Sequence, residues 1–143
     1  MGLMCDTCFK IDKRKYHPWL ECKDKSCDGY MVEVDEMFLP SISLLNKKGY
    51  KTAFCCSAHV WKKDICDPYI SFEDFIKLPN LPKDFDYDYN IWPYVDWSKG
   101  NDGSKCIRKV IDVKIESDKK HEILLLTALD LLNWARELPE YKI

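Results

Sequence analysis

Cys5-Asp6-Thr7-Cys8, thirteen further residues, and then Cys22-Lys23-Asp24-Lys25-Ser26-Cys27 form the stretch on which the reading of this chain turns. Two close cysteine pairs separated by a hairpin-length insert have the form of two metal knuckles. Thiolates so spaced can surround one tetrahedral ion without needing a buried apolar core. The second gap, four residues, is wider than the commoner two, and a pair of reactive or disulfide-forming dithiols is the alternative. The spacing favours one structural zinc ion with Cys5, Cys8, Cys22 and Cys27 as ligands.

Outward from that stretch, composition bounds the rest. A chain of 143 residues, 46% hydrophobic, supports one compact domain with a core and at most a small appendage. Five glycines and 13% aromatic residues argue for a folded protein rather than a low-complexity one. The expected organisation is a zinc ribbon over 1–29 and an α+β domain over 30–143, joined as one compact unit.

The start MGLMCDTCFK lacks the basic and apolar regions of a signal peptide, and Asp6 stands where a myristoylation signal needs Ser or Thr. The longest greasy run, Ile123 to Leu129, is cut by Thr127 and falls far short of the roughly 20 residues that span a bilayer. The expectation is a cytoplasmic protein with no membrane contact. In that reducing setting its eight cysteines serve as ligands or free thiols.

Net charge is −2, but residues 1–63 carry 11 Lys and Arg against 8 Asp and Glu, while the remainder carries 11 against 16. This permits a local anion site in the first half. It is far from the concentrated basic surface of a duplex-DNA binder. Lys10, Lys13, Arg14, Lys15, Tyr16, His17 and Trp19 between the knuckles could touch phosphates and stack a base, and are expected instead as a solvated ribbon tip.

Tyr30 to Val34 alternates like a strand. A helix follows, starting at Glu36 or near Leu39 depending on how Pro40 is accommodated, and stopping at Gly49. Strands are expected at Tyr50–Phe54, Pro68–Phe72 and across the alternating acids and aromatics of Asp84–Tyr89. Cys106–Val113 is expected to return as hairpin partner of the Trp92–Trp97 stretch through the turn at 100–103. From Ser117 to Leu138 the pattern predicts a long helix, with Leu125, Leu129, Leu132 and Ala135 as the stripe that covers the sheet. Ile123, Leu124, Leu126, Leu131 and Trp134 make this helix apolar on more than one face, which fits deep burial or a homo-oligomer contact.

The densest chemistry outside the knuckles is the Cys55-Cys56-Ser57-Ala58-His59 segment at a strand end. It could supply a second metal site, with Cys55 or Cys56 and His59 joined by Cys66 or Cys106. A thiolate of Cys55 or Cys56 with His59 as base, oriented by Asp64 or Asp67, would instead be a catalytic pair. The preferred reading is a ligand loop in which Lys51, Cys56, Ser57, His59 and Arg108 meet an anion, with Lys62 and Lys63 nearby.

LLNKKGYKTAFCCSAH with the later YISF, LPNLPKDF and CIRK resembles small uncharacterised proteins of bacteriophages and Firmicutes that carry GYKTxFCCSGH-type segments. The resemblance spans roughly residues 30–110, with Ala58 where those proteins have Gly. It implies a small protein aimed at a host component in the host cytoplasm, by sequestering a nucleotide signal or blocking a defence protein. A weaker local echo is the Ser-Ser-Cys-Ser-Gly-Arg segment of the tRNA wybutosine-synthesis methyltransferase family, with His59 in place of Arg; no activity is carried over from it.

The leading expectation is therefore a zinc-ribbon binding protein that captures a small anionic, nucleotide-like ligand or a host protein. A Cys56/His59 enzyme acting on nucleotide or nucleic acid is the alternative. A pure protein-interaction module using Trp92, Tyr94, Trp97 or the C-terminal helix is a third.

Overall fold

The computed structural model describes residues 2–56, 67–73, 76–88, 106–111 and 117–142. The expected hairpin of 92–97 and its turn, and the residues Ser57, His59, Asp64, Cys66, Trp92, Tyr94 and Trp97, lie outside them.

The architecture is α+β, with two antiparallel sheets and two helices among the described residues. Strands β1 (Gly2–Cys5), β2 (Ile11–Asp12) and β3 (Met31–Val34) form the first sheet in the order β2-β1-β3. Strands β4 (Thr52–Cys56), β5 (Tyr69–Phe72), β6 (Asp86–Asp88) and β7 (Cys106–Arg108) form the second in the order β4-β5-β7-β6. Between the two sheets runs α1 (Leu39–Lys47), and α2 (Ser117–Glu137) follows the last strand.

Helix α1 starts at Leu39 because Pro40 then sits in the first turn, where its missing N–H deprives no carbonyl of a partner. It stops at Gly49, whose φ of +95° only glycine adopts without strain. The stop is a Schellman motif: Gly49 N–H donates to the Asn46 carbonyl at 3.0 Å and Tyr50 N–H to the Leu45 carbonyl at 2.9 Å. The strand after it begins two residues later than the alternation from Tyr50 suggests. Tyr50 is instead a buried core residue, and its hydroxyl donates to the Pro139 carbonyl at 2.8 Å.

One apolar cluster joins both sheets and both helices. It takes Met4 and Val34 from the first sheet, Phe38, Ile42 and Leu45 from around α1, Ile70, Phe72 and Ile107 from the second sheet, and Leu131, Trp134, Ala135 and Leu138 from α2 and its end.

The inward stripe of α2 is not the one expected. Leu124, Thr127, Leu131, Trp134 and Ala135 are buried, whereas Leu125 and Leu129 are each 52% exposed and Leu132 is half-buried; of the expected set only Ala135 faces the core. Both faces carry leucines, so period alone does not choose between them. Polar anchoring and fit choose. The Trp134 indole N–H donates to Asn80 Oδ1 at 2.6 Å, the Lys109 ammonium donates to Thr127 Oγ1 at 2.9 Å, and Ala135 is fully buried.

The far end of α2 is closed by a residue distant in sequence. Lys48 Nζ donates to the carbonyls of Ala135, Arg136 and Leu138 at 2.8, 2.8 and 2.6 Å, the groups that a helix C-terminus leaves without intrahelical donors. Its own carbonyl accepts the Tyr141 N–H at 2.8 Å, and the Tyr141 ring packs edge-on against Tyr50 with centroids 5.1 Å apart. Among the described residues no helix is long and apolar enough to cross a membrane.

Candidate metal centre and adjoining cavity

Cys5 ends β1 and Cys8 follows on the tight loop after it; Cys22 and Cys27 lie just before β3. The loop from Cys5 is held by Phe9 N–H donating to the Cys5 carbonyl at 3.1 Å and Cys5 N–H donating to the Lys10 carbonyl at 3.0 Å. This turn places Phe9 at φ 62°, a left-handed conformation that costs a bulky residue about 1–2 kcal/mol. Packing of the Phe9 ring against the core and a hydrogen bond from Ser43 Oγ of α1 to the Phe9 carbonyl offset it. On the opposite side Glu21 bridges to Tyr30, and Cys22 N–H donates to the Gly29 carbonyl at 2.9 Å.

The four sulfurs lie within 4.8 Å of one another. Cys5 and Cys27 Sγ are 3.7 Å apart, Cys8 and Cys22 Sγ 3.6 Å. A tetrahedral ion with bonds to sulfur of about 2.3 Å has sulfur–sulfur edges of about 3.8 Å. A disulfide would need about 2.05 Å. The separations therefore suit ligation around a common centre, and Cys5, Cys8, Cys22 and Cys27 are all free thiols. The N–H groups of Thr7 and Cys8 each point at Cys5 Sγ from 3.4 Å, which favours its thiolate. A Cβ on Gly29 would stand 2.5 Å from the same sulfur, so glycine is required there by close approach.

Electrostatically the four thiols are not equivalent. Burial works to raise Cys5, but the N–H groups of Cys8 and Thr7 outweigh it, and this thiol is lowered to about 7. Cys22 receives help from the Asp24 N–H, yet burial and the neighbouring thiols push it up to about 12. Cys27, helped by the Gly29 N–H but opposed by burial and by Cys5 and Cys8, is also raised. Cys5 is thus the more readily ionised thiol, while ionisation of Cys22 and Cys27 is resisted until a cation shares the site. These four cysteines could hold a metal ion.

The segment between the two cysteine pairs is pinned at its base by an ion pair. Arg14 donates through Nε to Asp12 Oδ2 at 2.8 Å and through its guanidinium to the Glu21 carbonyl at 2.7 Å, and this pairing holds the Asp12 carboxyl below the usual carboxylate range. Beyond it Lys13, Lys15, Tyr16, His17 and Trp19 are exposed, Trp19 by 80%.

A cavity of about 340 Å³ adjoins the metal loop. Asp6 and Phe9 of the loop, Met4, Val32 and Val34 of the first sheet, Ile42 and Asn46 of α1, and Lys51, Thr52, Ala53 and Cys55 at β4 line it, with Glu33 and Asp35 completing the wall. Buried Asn46 pins its floor, donating to Thr52 Oγ1 at 3.0 Å and accepting the Thr52 N–H at 3.2 Å. Lys51 is the lone cation among the lining residues, against the carboxylates of Asp6, Glu33 and Asp35.

The residues expected to bind an anion are divided by the fold. Lys51 lines the cavity at the start of β4. Cys56 ends the same strand, about 17 Å away at 3.3 Å per residue. There the register runs Cys56–Tyr69–Arg108–Asp86 across four strands, so Arg108 lies two strands from Cys56, with its guanidinium 3.7 Å from Asp67. Ser57 and His59 lie outside the described residues, and with them the Cys56/His59 pair and the second metal site. The acids of the cavity wall and Gly29 had no role in the sequence reading. Asp6, Glu33 and Asp35 come from separate positions along the chain that share no motif; Gly29, following the second knuckle, could have been suspected of a close approach.

Compared with protein-family models, with curated proteins and with solved structures, the chain has no match in any of the three.

Proposed function

We propose that the protein is a binding protein whose N-terminal zinc ribbon, over residues 1–29, shapes one wall of a small-molecule site. The observation that carries this reading is the sharing of Asp6 and Phe9 between the cysteine loop and the 340 Å³ cavity. Zinc suits an all-thiolate tetrahedral donor set, and a four-cysteine site with no open position is structural rather than catalytic. The ion would supply order to the loop, and the chain's own residues would do the binding.

The cavity is of the size that takes a small ligand, and its lining is mainly apolar. Three carboxylates around one ammonium favour a ligand with an apolar body and a positive group. The anionic ligand expected from Lys51 and Arg108 is less well supported, since Arg108 stands at the other end of the sheet beside Asp67. A cytoplasmic, host-directed role stands with this reading as the setting implied by the sequence resemblance.

Titration of isotope-labelled protein with an aralkylamine and, separately, with a nucleoside monophosphate tests it. Amide shifts at Val32, Val34 and Thr52 with the amine alone are expected. Shifts with the nucleotide alone would restore the anionic ligand, and shifts with neither would remove the cavity as a site for either class.

Zinc loading should also release protons. Ligation requires thiolates, and Cys22 and Cys27, both raised, carry protons at pH 7.5. Calorimetry in two buffers of different ionisation enthalpy should find about two or more protons released per ion, and affinity should fall as pH is lowered. A pH-independent affinity would mean that the thiols are not the ligands.

A further inference from the structure

The geometry points to α2 as the seat of a two-fold symmetric dimer, in which the helix packs antiparallel against its copy about Leu129. The face of α2 opposite the core is apolar at its centre and charged at its ends. Leu125, Leu126 and Leu129 are 52%, 53% and 52% exposed, and Leu132 beside them is half-buried. At 100° per residue these four lie within about 60° of the direction of Leu129, while Leu124, Thr127, Leu131 and Trp134 point to the other side. A solvated face of an isolated domain carries polar residues at such positions.

The charges identify the occupant. Glu122 stands seven residues before Leu129 and Arg136 seven after it, both exposed and both within about 20° of the same line. A two-fold axis through Leu129 places residue 129 − k against residue 129 + k of the copy. Glu122 then meets the partner's Arg136 at each end of the seam. Leu126 comes level with the partner's Leu132 and Leu125 with the partner's Asn133, on opposite edges of the seam, and Leu129 sits on the axis against itself. A parallel arrangement would set Glu122 against Glu122 and Arg136 against Arg136, which like-charge repulsion disfavours. The self-complementary pattern is what an isologous contact requires, so a second copy of this chain is the partner it fits.

From Glu122 to Arg136 the seam is about 21 Å long and one helix wide, below the size of a permanent interface. The dimer is therefore expected to be weak, with half-association on the order of 10–100 μM. Sedimentation equilibrium of the zinc-loaded full chain over a concentration series reads this directly. Glu122→Arg or Arg136→Glu alone turns two attractive contacts per dimer into two repulsive ones and should weaken association roughly tenfold. The double variant E122R/R136E restores both contacts with their signs exchanged and should recover the original affinity. Leu129→Glu should give a monomer with unchanged zinc content. A monomer at all concentrations up to about 1 mM, or a dimer indifferent to the single charge reversals, would overturn the proposal, as would a double variant no better than the singles.

Discussion

Cys5→Ser protein is expected to lose the proposed zinc ion to a mild chelator that leaves the parent protein loaded, and to lose order at its N-terminus at the same time. Cys5 is the buried member of the four, the only one fully sequestered, and two N–H groups aim at its sulfur. Serine keeps the size but supplies no thiolate. Apart from the contacts of Met4 and Phe9 with the main core, the segment has a small cluster of its own, with Leu3, Cys5 and Met31 as its buried apolar residues. Metal ligation contributes about 10–16 kcal/mol of apparent binding energy in small zinc-built units at pH 7, and most of the ribbon's stability should come from that source. Hydrogen exchange should therefore rise at residues 5–30 and at the cavity wall, while the second sheet keeps its protection. Cys55→Ser, outside the cluster, serves as the control and should stay loaded. Parent protein purified without any bound metal would contradict the proposed zinc site.

Lys48→Met is expected to be strongly destabilising although the residue lies outside the apolar core. The ammonium satisfies three carbonyls at the end of α2, where the helix dipole also favours a positive charge. Hydrogen bonds to a charged group contribute more than neutral ones, and three carbonyls would lose their donor together. Partial access of water to the site tempers the loss, and about 2–4 kcal/mol is expected, a fall in Tm of roughly 6–12 °C for a chain of this size. Lys48→Arg keeps the charge and several donors and should recover part of it. A Lys48→Met protein within about 0.5 kcal/mol of the parent would show that solvent replaces the ammonium without penalty.

These two residues also mark what the sequence could and could not tell. Cys5 belongs to a local pattern, because metal knuckles draw their ligands from short, fixed spacings; all four sulfurs converge as expected. Gly49 is legible for a similar reason, since a helix stop needs positive φ and glycine supplies it. Lys48, one residue away, carries no such mark. Its partners lie 87 to 90 residues further on, and one more lysine after Lys47 looks like solvated surface until the fold brings α2 beside it. The orientation of α2 is not legible in the sequence because leucines occupy both of its faces; the fit of Trp134 beside Asn80, the Lys109–Thr127 bond and Ala135 in the core separate them. The cavity was invisible because its wall is assembled from the metal loop, β3, α1 and β4 at once. Phe9 adds a further case: a bulky side chain at φ 62° contradicts local preference, and only its packing and the bond from Ser43 explain it.

The reach of the Lys48 clamp bears on how the chain acquires its structure. The four clustered cysteines all fall between residues 5 and 27, so a nascent polypeptide can bring them together soon after it leaves the ribosome. Tyr50 and Lys48 have no such option, because the carbonyls they seek belong to residues 135–139. Until α2 is made, the part of α1 that packs on it lacks that cover, although the first sheet can already pack on the helix. Such long-range closure slows folding and leaves greasy surface open to chaperones or to aggregation in the interval. The cysteine loop can thus close early, but Met4 and Phe9 complete their packing only once α1 and the rest of the core are in place.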